Sequence, residues 1–204
     1  LNPEQAHHIT LKFFKFVCAI PGMGWVLRKM FCYNNPKLER EVFGIKFKNP
    51  VGLAAGFDKN GNCYNDLSNL GFSFIEIGSI TPTPQDGNAK PRCFRLPKDG
   101  ALINRFGINN NGVKFAVEYI KKHHPKSVIG ASLSKCTKSS NEDAPKDLEK
   151  SFAILYDFVD YFALNVSCPN VKNLCQLQDI GFLSEIIDRL LTLRRYYDDY
   201  RPIL

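Results

Sequence analysis

Val128-Ile129-Gly130-Ala131-Ser132-Leu133, a helical stretch around Leu148–Tyr156, and Tyr161-Phe162-Ala163-Leu164-Asn165-Val166 together decide the fold. Two short apolar runs separated by helical periodicity predict parallel strands joined by a crossover helix, because a tight turn can return a strand only antiparallel. The unit recurs on both sides. Val51–Ala55 reads as a buried strand, Phe72–Ile77 as the next, residues 112–123 as a helix, and residues 182–197 as another. Val42–Phe47 reads as a strand around a tight turn. Repeated βα alternation predicts an α/β domain with a parallel sheet. A complete eight-stranded barrel takes ~250 residues, and Arg201-Pro202-Ile203-Leu204 reads as the opening of one more strand, so the chain is expected to be part of a larger barrel.

With 204 residues, 44% apolar and 23% charged, the chain can bury a substantial core. The net charge of +7 is unevenly spread: residues 1–48 hold eight Lys/Arg against three Asp/Glu. Seven scattered cysteines without a C-x-x-C pair argue against both a disulfide framework and a zinc knuckle, and fit a reducing compartment. No metal is expected. The longest uncharged stretch near the N-terminus, Phe16–Leu27, is broken by Pro21-Gly22 and falls short of the ~20 residues of a spanning helix.

Asn2-Pro3-Glu4-Gln5 is a helix start: Asn2 can cap orphan amides, Pro3 has its φ pre-set, and Glu4 suits the positive end of the helix dipole. The helix that follows puts Glu4, His8, Lys12 and Lys15 on one face and gathers Ile9, Phe13, Phe16, Val17 and Ile20 elsewhere. After Pro21-Gly22, Met23–Phe31 reads as a second short helix with Trp25 and the pair Arg28-Lys29. Residues 1–35 thus read as an amphipathic extension that can lie in a bilayer interface, and residues 36–204 as the barrel part. The plainer reading is a helical hairpin packed by its apolar face on its own domain, which has the same periodicity.

In a βα architecture reactive residues lie at the C-terminal ends of strands. Four such ends stand out. Ala54-Ala55-Gly56-Phe57-Asp58-Lys59-Asn60-Gly61 offers small residues that admit a flat ligand, with Lys59 beside them, although a lone lysine is more often a solvated turn residue. Gly78-Ser79-Ile80-Thr81-Pro82 brings hydroxyls that also suit an ordinary turn. The loop-rich excursion 80–112 returns through Asn104-Arg105-Phe106-Gly107-Ile108-Asn109-Asn110-Asn111, rich in amides that can bond a planar polar molecule or cap a helix. Asn165-Val166-Ser167-Cys168-Pro169-Asn170 sets two asparagines and a thiol around a stiff turn; taken alone, Cys168 reads more readily as a small buried hydrophobe than as a base.

Together the segments GLAAGFDKNG, IEIGSITPTPQDGNAKPRCFRL, LINRFGINNNG and NVSCPN resemble the dihydroorotate dehydrogenase family in order and spacing, across essentially the whole chain. The leading NPEQAHH with its helix pair resembles the membrane-associated, quinone-reducing class. The resemblance implies a (β/α)8 TIM barrel, incomplete in this chain, holding FMN at its top face. It implies contacts to FMN from Ala55, Gly56, Phe57, Asp58, Lys59, Ser79, Ser132 and Asn165. It implies substrate contacts from Lys59, Asn104, Arg105, Phe106, Gly107, Ile108, Asn165 and Asn170, with Cys168 as catalytic base. Dihydroorotate would be oxidised to orotate for pyrimidine synthesis, and a quinone would enter between the N-terminal helices. The implied location is peripheral, on the cytoplasmic side of the cell membrane. Another flavin-binding lysine and the glycine-rich phosphate loops are expected beyond residue 204.

Two positions depart from the family pattern. The membrane class usually carries serine as the base where this chain has Cys168, and Ser132 stands where asparagine is common. A thiol is far more acidic than a hydroxyl, so a cysteine base is expected to reach full rate at lower pH than a serine. Cys168 also keeps open a soluble dihydroorotate dehydrogenase using fumarate or NAD. A third reading, a non-catalytic α/β binding domain with a basic N-terminal arm, is opposed by cations that lie on aromatic-rich amphipathic helices; no nucleic-acid motif accompanies them.

Overall fold

A computed structural model describes residues 1–204. Four parallel strands form the central sheet in the order β3-β4-β7-β8: β3 is Gly52–Leu53, β4 Phe74–Ile80, β7 Val128–Leu133 and β8 Tyr161–Leu164. Ile203 extends it through a parallel bridge to Phe162. Crossover helices α3 (Tyr64–Leu67), α4 (Gly112–Lys122) and α5 (Ala144–Leu155) cover one face, and α6 (Ile180–Arg194) follows β8 and packs beside α5.

The strand period of two sorts the sheet's faces. On β4 Ile75 and Ile77 are fully buried under the helices, where they meet Ile129, Ala131 and Leu133 of β7 and Val113, Ala116 and Ile120 of α4. Phe74 and Glu76 point to the opposite face of the sheet. There Gly52 and Gly130 are required by close approach: a Cβ at Gly52 would lie 2.1 Å from the Phe74 ring, and one at Gly130 2.0 Å from the Tyr161 ring. An antiparallel hairpin, β1 (Arg40–Val42) and β2 (Ile45–Phe47), adds Phe47, whose ring meets Phe74 edge-on at 5.2 Å. Its turn residues Phe43 and Gly44 both have positive φ, as a type I′ hairpin demands. A second hairpin, β5 (Cys93–Leu96) and β6 (Ala101–Asn104), stands in the 80–112 excursion.

The expected strand at Val51–Ala55 is shorter and less buried than its composition suggests. Only Gly52 and Leu53 pair, Val51 is 57% exposed, and β3 is an edge strand in this chain. The helix α3 and the single turn Ser68–Leu70 are too short to leave a period in the sequence.

At the N-terminus α1 (Pro3–Ala19) and α2 (Met23–Phe31) cross at 111° around the Pro21-Gly22 break. Asn2 and Gln5 form a complete capping box. No single helix here is long and apolar enough to cross a membrane. The apolar faces of both helices turn outward: Phe13 is 66% exposed, Phe16 67%, Trp25 61% and Met30 69%. What α1 turns toward its own domain is mixed, with Ala6, Leu11, Phe14 and Val17 half-buried beside two charged groups. Glu4 is buried against Arg92, whose Nη2 donates to Oε1 at 2.6 Å, and Lys15 donates to the carbonyl of Asn62 at 2.6 Å. Leu11 and Phe14 complete the contact. The hairpin thus docks part of its apolar surface on its own domain and leaves Phe13, Phe16, Trp25 and Met30 exposed.

Candidate active site

The C-terminal ends of β3, β4, β7 and β8 converge on one rim, and most residues singled out in the sequence meet there. Gly56 N–H donates to the Gly78 carbonyl at 2.7 Å, tying the first rim loop to the second. Gly56 has φ +99° and open space where a side chain would be, so backbone is presented at the rim without bulk. Asn165 donates from Nδ2 to Ser79 Oγ at 2.7 Å, and Ser79 Oγ lies 2.8 Å from Ser132 Oγ. The two hydroxyls carry two protons and spend one on the bond they share. The other remains a donor for a ligand acceptor.

Lys59 stands between loops: its ammonium bonds the Gly56 carbonyl and lies 4.7 Å over the Phe106 ring. Burial, reinforced by the nearby Arg92 charge, holds its pKa below the ordinary lysine value. Asp58 behaves differently from its neighbours. Its carboxylate is turned inward, 2% exposed, and accepts from the amides of Asn62 (3.0 Å) and Cys63 (2.7 Å), so only its backbone reaches the rim. Burial raises its pKa against those hydrogen bonds.

The segment 104–108 is held from several sides. Arg105 donates to the Pro91 carbonyl at 3.0 Å, and Phe106 lies between Lys59 and the Arg92 guanidinium, which sits 5.3 Å from the ring. Ile108 has φ +56°, rare for a β-branched residue and costly, of order 1–3 kcal/mol. Neighbouring bonds over-determine it: Gln85 and Asn110 both donate to its carbonyl, at 2.7 and 3.0 Å. Asn110 Oδ1 also accepts from Gly112 N–H at 2.8 Å. These two side chains hold the loop; Asn110 does so from within the amide-rich run singled out in the sequence, and Gln85 was unremarked there. Cys168 is half-buried at the β8 end, with Val166 beside it against the core. Asn165 Oδ1 accepts from Ser167 N–H at 3.3 Å and shapes the turn toward Cys168. Asn170 follows; its carbonyl accepts from Asn88 at 3.0 Å.

On the far side of the first rim loop, a cleft of about 280 Å³ runs beneath α1, lined by His7, Leu11 and Lys12 on the helix and by Phe57, Lys59 and Phe106 on the loops. His7 meets Phe57 edge-on at 5.0 Å. Burial, then the charges of Lys59 and His8, lowers its pKa below the usual imidazole value, which favours the uncharged ring.

Residues 37–194 match the family model described as Dihydroorotate dehydrogenase. The chain belongs to the dihydroorotate dehydrogenase family. A protein of Christiangramia forsetii named Dihydroorotate dehydrogenase (quinone) is 47% identical over 203 residues, covering all of this chain and 59% of its own. A Coxiella burnetii protein of the same name is 44% identical over 200 residues, covering 98% and 56%. The crystal structure of a dihydroorotate dehydrogenase from Eimeria tenella in complex with ferulenol aligns with TM-score 0.79 at 34% identity, over 95% of this chain and 51% of that one. The sheet and its helices are thus part of a TIM-barrel-type α/β fold. The chain spans somewhat over half the length of the curated relatives it matches.

Proposed function

We propose that the protein to which this chain contributes oxidises dihydroorotate to orotate with FMN and passes the electrons to a quinone, as a step of pyrimidine synthesis. The observation that carries this reading is the convergence of Lys59, Ser79, Ser132, Asn165 and the Cys168 turn on one rim, with an adjoining cleft beneath α1 that shares Lys59 and Phe106 with it. The donor set fits a flavin: a free hydroxyl proton at the Ser79–Ser132 pair, a partly desolvated cation at Lys59, and open backbone at Gly56.

Ala55–Lys59, Ser79, Ser132 and Asn165 are assigned to FMN, with Asp58 contributing main chain only. The chemistry that bound FMN supplies is acceptance of the substrate's C6 hydride and delivery of the electron pair to quinone. The chain's own residues do the rest. Lys59 meets the substrate carboxylate, and Asn104–Ile108, Asn165 and Asn170 bond the pyrimidine edges, each amide both donating and accepting. Cys168 as thiolate takes the C5 proton at Sγ, leaving the C5–C6 double bond of orotate. The quinone is assigned to the cleft beneath α1, the side of Phe57 and Lys59 away from the substrate. Outward Phe13, Phe16, Trp25 and Met30 support residues 1–35 as a surface that rests in a bilayer interface, which suits an apolar quinone. The corresponding location is peripheral, on the cytoplasmic side of the cell membrane. The relatives named for quinone favour this acceptor over fumarate or NAD.

The test uses the full-length protein. It should show flavin absorption that dihydroorotate bleaches anaerobically and quinone restores; absence of flavin or of bleaching overturns the reading. Cys168→Ser should move the plateau of the pH–rate profile for bleaching to higher pH, and an unchanged profile would remove Cys168 from its role as base.

A further inference from the structure

Asn88 lies in the excursion between β4 and β5, apart from every residue assigned above to flavin, substrate or proton transfer. Its Nδ2 donates to the carbonyl of Arg105 at 2.9 Å and to the carbonyl of Asn170 at 3.0 Å. Its backbone N–H donates to the carbonyl of Phe106 at 2.9 Å. One short side chain thus joins the substrate segment 104–108 to the turn that carries Cys168, 82 residues away in sequence.

A side-chain amide carries two N–H donors, and Asn88 spends both on main-chain acceptors that belong to different functional segments. The bonds that the base-bearing turn makes within its own neighbourhood are longer. Ser167 N–H reaches Asn165 Oδ1 at 3.3 Å, and Val171 N–H reaches the Cys168 carbonyl at 3.5 Å. The fit around Asn88 is also tight. Gly107 has φ +73°, and a Cβ there would lie 2.7 Å from Asn88 Cγ, so the glycine makes room for this amide and no larger side chain.

We infer that Asn88 is a positioning residue, fixing the distance between the base and the substrate-binding segment. The inference rests on the proposed dehydrogenase reading. Misplacing a reacting group by about 1 Å costs on the order of 10²-fold in rate. Aspartate keeps the shape of Asn88 but loses both donors and sets a carboxylate against two carbonyl oxygens.

The experiment separates the two half-reactions in the full-length flavoenzyme. With Asn88→Asp, anaerobic bleaching by dihydroorotate should slow about 10- to 100-fold, while flavin content, melting temperature and re-oxidation by quinone stay at wild-type values. Asn88→Ser keeps one donor without adding charge and should fall between the two, which preserves the test where the aspartate protein does not fold. Wild-type bleaching in both variants, or equal losses in both half-reactions together with lost flavin, overturns the role of Asn88. A wild-type enzyme that dihydroorotate fails to bleach overturns the dehydrogenase reading instead.

Discussion

Helices α1 and α4 have the same kind of amphipathic sequence and different orientations. In α4 the apolar stripe Val113, Ala116, Val117 and Ile120 is buried on the sheet, and Lys114, Glu118 and Lys121 face water. In α1 a buried glutamate and a bonded lysine share the inner side with Leu11 and Phe14, while Ile9, Phe13 and Phe16 face out. Periodicity reports that a helix has two faces; which face meets the core depends on partners elsewhere in the chain. For α1 the decisive partner is Arg92, 88 residues away.

The largest effect that would break this contrast comes from placing one charge on each apolar stripe. Ile120→Asp buries an unpaired carboxylate at a position 2% exposed, a penalty of several kcal/mol, and should leave no folded protein by circular dichroism. Ile9→Asp, at a position 53% exposed, should change the unfolding free energy by less than about 0.5 kcal/mol. Next, Arg92→Ala takes from the buried Glu4 carboxylate its hydrogen-bonded partner, leaving only the exposed Lys90 and His8 at 3.6 and 3.8 Å, and should cost about 3 kcal/mol locally. Amides of α1 would then exchange with solvent much faster while those of α4 keep their protection; equal exchange in wild type and variant would show that the ion pair does not hold α1.

A pH titration probes the same contact more gently. The Arg92 hydrogen bond, helped by its charge, holds the Glu4 pKa below the ordinary carboxylate value despite burial. A lowered folded-state pKa stabilises above the unfolded value of ~4.3 and is lost as pH falls through the folded one. Docking of α1 should therefore be intact at neutral pH and loosen only below about pH 4, and Glu4→Gln should abolish that dependence. Smallest for stability is Phe13→Ser with Phe16→Ser, expected near zero in denaturant melts, yet lowering co-sedimentation with anionic liposomes. Undiminished pelleting would count against the membrane-facing role.

The parallel strands were legible because buried apolar runs between helical periods admit few other arrangements; Val128–Leu133 and Met23–Phe31 have the predicted bounds. β3 was overestimated because its apolar residues face an open sheet edge in this chain. The rim was legible through the spacing of Ala55–Lys59, Ser79 and Asn165. Asn88 and Gln85 were not, since each acts on backbone carbonyls that loop geometry alone brings near, and an isolated asparagine or glutamine announces no such partner. The inward turn of Asp58 was hidden for the same reason: its acceptor role is local, to the amides of Asn62 and Cys63.

Trp25 is the single tryptophan in these 204 residues, and it sits 61% exposed on the outward side of α2 with the Lys29 ammonium 5.8 Å from its ring. On the proposed reading, this puts one fluorophore on the face assigned to the bilayer interface. Indole emission moves to shorter wavelength when its surroundings lose water, so in these 204 residues the colour of this one side chain reports, without any label, whether α2 has left the aqueous phase.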